Sequence, residues 1–211
     1  TTNVTGHAAL FAERLALQDW KTARVVALWM CLFLAGAFIS SFVVSRIGRN
    51  QRFSYALPII IEIIILCCVA FSGTYYDGSL IAKELFAGSL LFAMGMQNSL
   101  VSIVSGSVVR TTHLTGTFTD LGIELAQLIS KKAHDIKFVI PRIRLRLAII
   151  GFFLAGAVSG AYLFQLLRFH SFLLPAGFLV FALAYDILRV KIKRMYRQIR
   201  HGFPQDDINE S

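Results

Sequence analysis

Apolar residues in this chain fall in long unbroken runs, not in the alternation of a strand or the stripe of a surface helix. Val25 to Ser45 contains no charged residue, Phe53 to Gly73 holds one carboxylate, Glu62, and Leu80 to Val109 is charge-free after Lys83 and Glu84. Leu147 to Leu167 and Ser171 to Tyr185 complete the series. A bilayer core about 30 Å thick takes roughly 20 apolar residues in helix, so these runs are read as transmembrane helices. Two other stretches, 7–19 and 117–130, place apolar residues at helical spacing on one side only and are too short to span. Thr117 followed by Asp120 resembles a weak capping box at the start of the second. Residues 131–146 form a basic connection, and from Ile187 to Arg200 basic residues alternate with Leu188, Ile192, Met195, Tyr196 and Ile199 at helical spacing, the pattern of a segment lying on an anionic membrane face.

The pattern is duplicated. Thr1-Thr2-Asn3-Val4-Thr5-Gly6 and Thr111-Thr112-His113-Leu114-Thr115-Gly116 agree at four of six positions. Phe33-Leu34-Ala35-Gly36-Ala37 returns as Phe153-Leu154-Ala155-Gly156-Ala157, and Leu57-Pro58 as Leu174-Pro175, in the same order. Residues 1–79 are therefore read as a first repeat, 80–188 as a second, and 189–211 as a basic amphipathic tail. The second motif follows an apolar run and the first opens the sequence, so a span equivalent to residues 81–110 is expected ahead of Thr1.

Composition supports the membrane reading. The 211 residues are 56% hydrophobic and 16% charged, against about 45–50% and 25% in soluble domains. A net charge of +9 would suggest nucleic acid in a soluble protein, but here the basic residues sit between apolar runs, so nucleic-acid binding is excluded as a class. Lys and Arg in 46–52, 131–146 and 189–200 number 15, against 4 in 21–24, 74–83 and 168–170. The first set is expected in the cytoplasm. Equivalent loops of the two halves then face opposite sides, which predicts an all-α polytopic transmembrane bundle of two inverted three-span repeats, with short helices after the Thr-rich motifs and a cytoplasmic C-terminus.

Candidate chemistry concentrates at the motifs. Thr1, Thr2, Thr5, Thr111, Thr112 and Thr115 supply hydroxyls, Gly6 and Gly116 permit unusual backbone angles, and free amides at a helix N-terminus attract anions. Asn3, Arg110 and His113 add donors, and Gln97 and Asn98 are polar groups inside an apolar run. If that run unwinds near Gly95-Met96-Gln97-Asn98 or Gly106, both motifs sink toward the midplane. A straight helix instead leaves them at opposite faces. Glu62, at mid-span, is the candidate proton-coupling group, because a carboxylate there is costly unless protonated, paired or hydrated; the alternative is a protonated side chain bonded to a neighbouring helix. Gly156 with Gly160, and Gly36 with Ser40, read as helix-packing faces. Cys31, Cys67 and Cys68 lie inside apolar runs, and no metal-ligand spacing, nucleophile motif or phosphate loop occurs. An enzyme is the poorest fit, and no cofactor is expected.

Gly95-Met96-Gln97-Asn98, the motif at 111–116 and Asp120-Leu121-Gly122 together resemble the YoaK-like family of bacterial multi-pass membrane proteins, a domain of unknown function. The resemblance covers nearly the whole chain and implies a bacterial inner-membrane location. The family pattern has a helix ahead of the first motif, and commonly a His where Asn3 stands. Its activity is open. The residues favour a small-solute transporter or channel, with an anion preferred, over a non-transporting scaffold, sensor or assembly partner; the bilayer is the expected surrounding.

Overall fold

The computed structural model describes residues 4–48, 53–106, 112–130 and 136–201, without the side chains of 53, 80 and 190–201. Among the described residues there are α-helices and short 3-10 turns and no strand. The helices are α1 Val4–Ala16, α2 Trp20–Ile47, α3 Phe53–Ser72, α4 Leu80–Val104, α5 Leu114–Ile129, α6 Ile136–Leu167 and α7 Leu173–His201. Trp20–Ile47, Ser54–Tyr75 and Ile81–Val104 are each long and apolar enough to cross a membrane, as is a fourth stretch from Ile136 to Arg189. That fourth stretch has 54 residues, about 80 Å if straight, and the turn at Arg168–Phe172 divides it into α6 and α7.

Helix directions follow from the contacts. Gly36 of α2 lies against Phe92 and Met96 of α4, Gly95 against Phe33 and Ala37, and Ser41 shares a 2.8 Å hydrogen bond with Ser99. Numbers rise together on both helices, so α2 and α4 run parallel. The α3 helix runs back in the opposite direction and contacts both. Its end, Gly73, abuts Phe169 of the α6–α7 turn, where Tyr76, Phe86, Phe164, Phe169 and Phe172 form an aromatic cluster with ring centroids 5.1–6.3 Å apart. From that end α7 runs back along α3. Arg46, the start of α6 with Arg142, Arg144 and Arg146, and the C-terminal turns of α7 therefore occupy the opposite end.

The core is thin, as expected when lipid replaces water around a bundle. Val26, Val44, Ala70, Leu91, Ala93 and Met96 are buried between α2, α3 and α4. Along α6 most of the apolar surface is exposed.

Two sequence-based expectations change, and one alternative left open is decided. The basic connection is largely helical: α6 begins at Ile136, ahead of Pro141, so Lys137 to Arg146 form its first turns. Thr117 does not cap α5; it sits in the helix, its hydroxyl donating to the His113 carbonyl at 3.0 Å, while His113 is the N-cap residue. The α4 helix stays unbroken through Gly95-Met96-Gln97-Asn98, because Gly95 is held against α2, and ends at Val104, with Ser105 as its C-cap and Gly106 at φ 62°.

Candidate functional site

The two short helices begin at matching places. α1 starts at Val4 and α5 at Leu114, the fourth residue of each motif and 110 positions apart. Their partners also match at the far end, where Ile47 of α2 and Leu167 of α6 are 120 apart. Each short helix packs on the helix that follows it.

Depth can be read from side-chain contacts. The His7 ring meets the Trp29 indole edge-on at 5.8 Å. Trp29 is nine residues into α2, about 14 Å along its axis. Val4, one turn nearer the α1 N-terminus, is then level with the middle of α2. Asp19, in the turn between them, caps α2 by accepting from the Thr22 amide at 3.2 Å. Bonds from Thr22 to that carboxylate, with Arg14 nearby, hold Asp19 below the usual carboxylate range.

In the second half, Arg146 of α6 pairs with Asp120 of α5, Nη2 to Oδ2 at 2.9 Å, and its Nε lies 3.9 Å from Oε1 of Glu124. Arg146 is ten residues into α6 and Leu114 six residues before Asp120, which places the start of α5 about 24 Å along α6, again near its middle. The two helices approach from opposite ends of the bundle: α1 from the end bearing the aromatic cluster, α5 from the other.

The second motif is tied to α4. The Thr112 hydroxyl donates to Oδ1 of Asn98 at 2.8 Å. Asn98 lies six residues before the end of α4, so the chain leaving α4 returns about 9 Å toward mid-helix before α5 begins. His113 is exposed and makes no side-chain capping bond to the first turn of α5. Thr115 and Gly116 form that first turn, and a Cβ on Gly116 would meet the His113 imidazole. Thr5 and Gly6 occupy the equivalent first turn of α1.

Of the other expected site residues, Gln97 is half-buried on α4 and Glu62 is buried at mid-length in α3, 4% exposed. Among the described residues Glu62 makes no hydrogen bond and no ion pair. Thr1, Thr2, Asn3, Arg110 and Thr111 lie outside the described residues. An apolar groove of about 490 Å³ between α2, α3 and α4 is lined mainly by Leu28, Leu32, Ile65 and Phe92, with Glu84 and Ser89 its polar members; it contains none of the expected site residues. Among the described residues no cluster of His, Cys, Asp and Glu suits a metal ion.

The Asp120–Arg146–Glu124 group was not legible beforehand. Asp120 and Glu124 read as the polar side of a short helix, and Arg146 as one of six basic residues in a connection. The available signal was two carboxylates one helical turn apart, followed by an arginine at the edge of a charge-free run.

Long apolar helices, short helices folded back along two of them and a lipid-type exterior define a polytopic membrane protein. The family model described as "Protein of unknown function (DUF1275)" matches residues 1–185. The chain belongs to that family. No curated protein and no solved structure matches it.

Proposed function

We propose that the protein is a small-solute transporter or channel of the bacterial inner membrane, selective for an anion, with its site where α1 and α5 begin. The observation that carries this reading is the mid-length start of both short helices, reached from opposite ends of the bundle. A helix N-terminus carries roughly half a positive charge on its free amides. Two of them set level with the middle of the helices they pack on, with Thr112, Thr115 and His113 adding donors, suit an anion in a medium where water is scarce. On this reading the halves are inverted repeats, Thr1, Thr2, Asn3, Arg110 and Thr111 complete the two motifs, and Glu62 is the proton-coupling group. The excess of Lys and Arg at the α6-start end orients that end, with the C-terminus, toward the cytoplasm.

Flux assays in proteoliposomes over a panel of small anions and weak acids test the reading. An anion flux reduced at least tenfold by Thr112→Val supports it. Absence of flux for the whole panel in correctly inserted protein defeats it and favours a scaffold, sensor or assembly partner. One observation supports that second reading: Gly95 and Met96 are sealed against α2, so the seam between α2 and α4 offers no aqueous path.

A further inference from the structure

We propose that α5 moves along α6 by one helical turn, exchanging Asp120 for Glu124 as the partner of Arg146. The exchange stands on the geometry of three side chains. Asp120 and Glu124 are one turn apart on the face of α5 turned to Arg146, and a single guanidinium lies within 4 Å of both. Its Nη2 bonds Asp120 at 2.9 Å, whereas the 3.9 Å from Nε to Glu124 is too long for a hydrogen bond. Among the described residues, Nε of Arg146 and Oε2 of Glu124 are both buried without a hydrogen-bond partner.

The two registers are closely balanced. In the observed one Asp120 is satisfied and Glu124, with a side chain only 8% exposed, is not. In the shifted one Arg146 would satisfy Glu124, while Asp120, with a side chain 46% exposed, exchanges the arginine for water. An unsatisfied buried ionisable group is costly, and a hydrated one is not. The other basic residues of described α6, Lys137, Arg142 and Arg144, are exposed, so Arg146 is the basic residue at issue.

Among the described residues, the Thr112–Asn98 bond is the one further tie that the slide must break. Among the described residues α5 packs on α6 alone of the helices, and a one-turn step returns the ridges of side chains four apart to equivalent grooves. The step is about 6 Å toward the N-terminus of α5. It breaks the Thr112–Asn98 bond and carries the motif deeper along α4. Packed elements switch by such discrete steps more readily than by continuous deformation.

The exchange does not require the transport reading, and its test uses no solute. Spin labels at exposed positions 123 on α5 and 158 on α6, in full-length protein with Cys31, Cys67 and Cys68 replaced by Ala, report the register by pulsed dipolar spectroscopy. Asp120→Ala should shift the population toward a distance shorter by about 5 Å, most of the 6 Å step. Glu124→Ala should leave the longer distance alone. Thr112→Val, which spares the three charged groups, should also enrich the shorter distance and guards against misfolding of Asp120→Ala. One unchanged distance in all three variants overturns the proposal, whatever the flux assays give.

Discussion

Gly36 and Gly95 sit at one crossing, each with its α-carbon against the other helix's backbone. A Cβ on Gly36 would strike the Phe92 carbonyl and one on Gly95 the Phe33 carbonyl. Backbone atoms cannot step aside as a side-chain tip can. Ser40, fully buried on the same face, and the Ser41–Ser99 bond continue the seam. Gly36→Leu and Gly95→Leu should therefore cost about 1–3 kcal/mol or more, as overpacking does. Gly156, the sequence twin of Gly36, has open space beside it, and Gly156→Ala should be close to neutral in this bundle. Thermal unfolding of the three variants in detergent micelles separates these outcomes.

The Thr112–Asn98 bond anchors the second motif, so Thr112→Val should release the motif from α4 at a cost of about 1 kcal/mol. Hydrogen exchange of the α5 amides should rise while that of α4 stays flat. Equal protection of both helices before and after the change would show that the bond is not an anchor.

Glu62 poses a choice between coupling and packing. As the coupling group, Glu62→Gln keeps the shape and the fold and abolishes the pH dependence of flux. If Glu62 only packs, the substitution shifts stability slightly and leaves the pH response intact. Flux measured across a pH series in liposomes decides, and an unchanged profile ends the coupling role.

Asp19 supplies a pH signature with a defined sign. Its folded-state pKa is depressed, first by its bonds from Thr22. The stabilisation it gives is present above the unfolded value of about 4 and fades as pH falls through the lower folded value. Asp19→Asn, which retains a capping oxygen but no charge, should flatten the acid limb of the unfolding curve and leave its neutral limb in place. Circular dichroism melts between about pH 2 and 6 report it.

Much of the bundle was readable because lipid imposes one rule, that backbone groups be satisfied within helices, and runs of about 20 apolar residues have few other outcomes. The ends of α2 and α3 fall within a few residues of the charge boundaries for that reason. What the pattern missed lay where short-range chemistry decides. Lys137 to Arg146 read as a connection because charges usually end a span, yet α6 continues through them, with Arg146 paired to α5. The capping residue of α5 was misplaced because Thr117 is a good cap by type, whereas the chain enters the helix three residues earlier. Whether α4 unwinds at Gly95 was open in the sequence, since glycine serves a break and a close crossing equally well; the position of Gly36 opposite it decides for the crossing.

The separation of Gly36 and Gly95 in sequence, 59 positions, also sets an order of events. During synthesis α2 and α3 enter the bilayer with their tightest partner not yet made, so they wait there as loosely associated helices. Closure comes in one step, when α4 emerges and two glycine surfaces meet. Tension on the nascent chain should accordingly be low while α3 inserts and rise sharply only after residue 95 has left the translocon, and a truncation ending before α4 should yield inserted helices without a bundle.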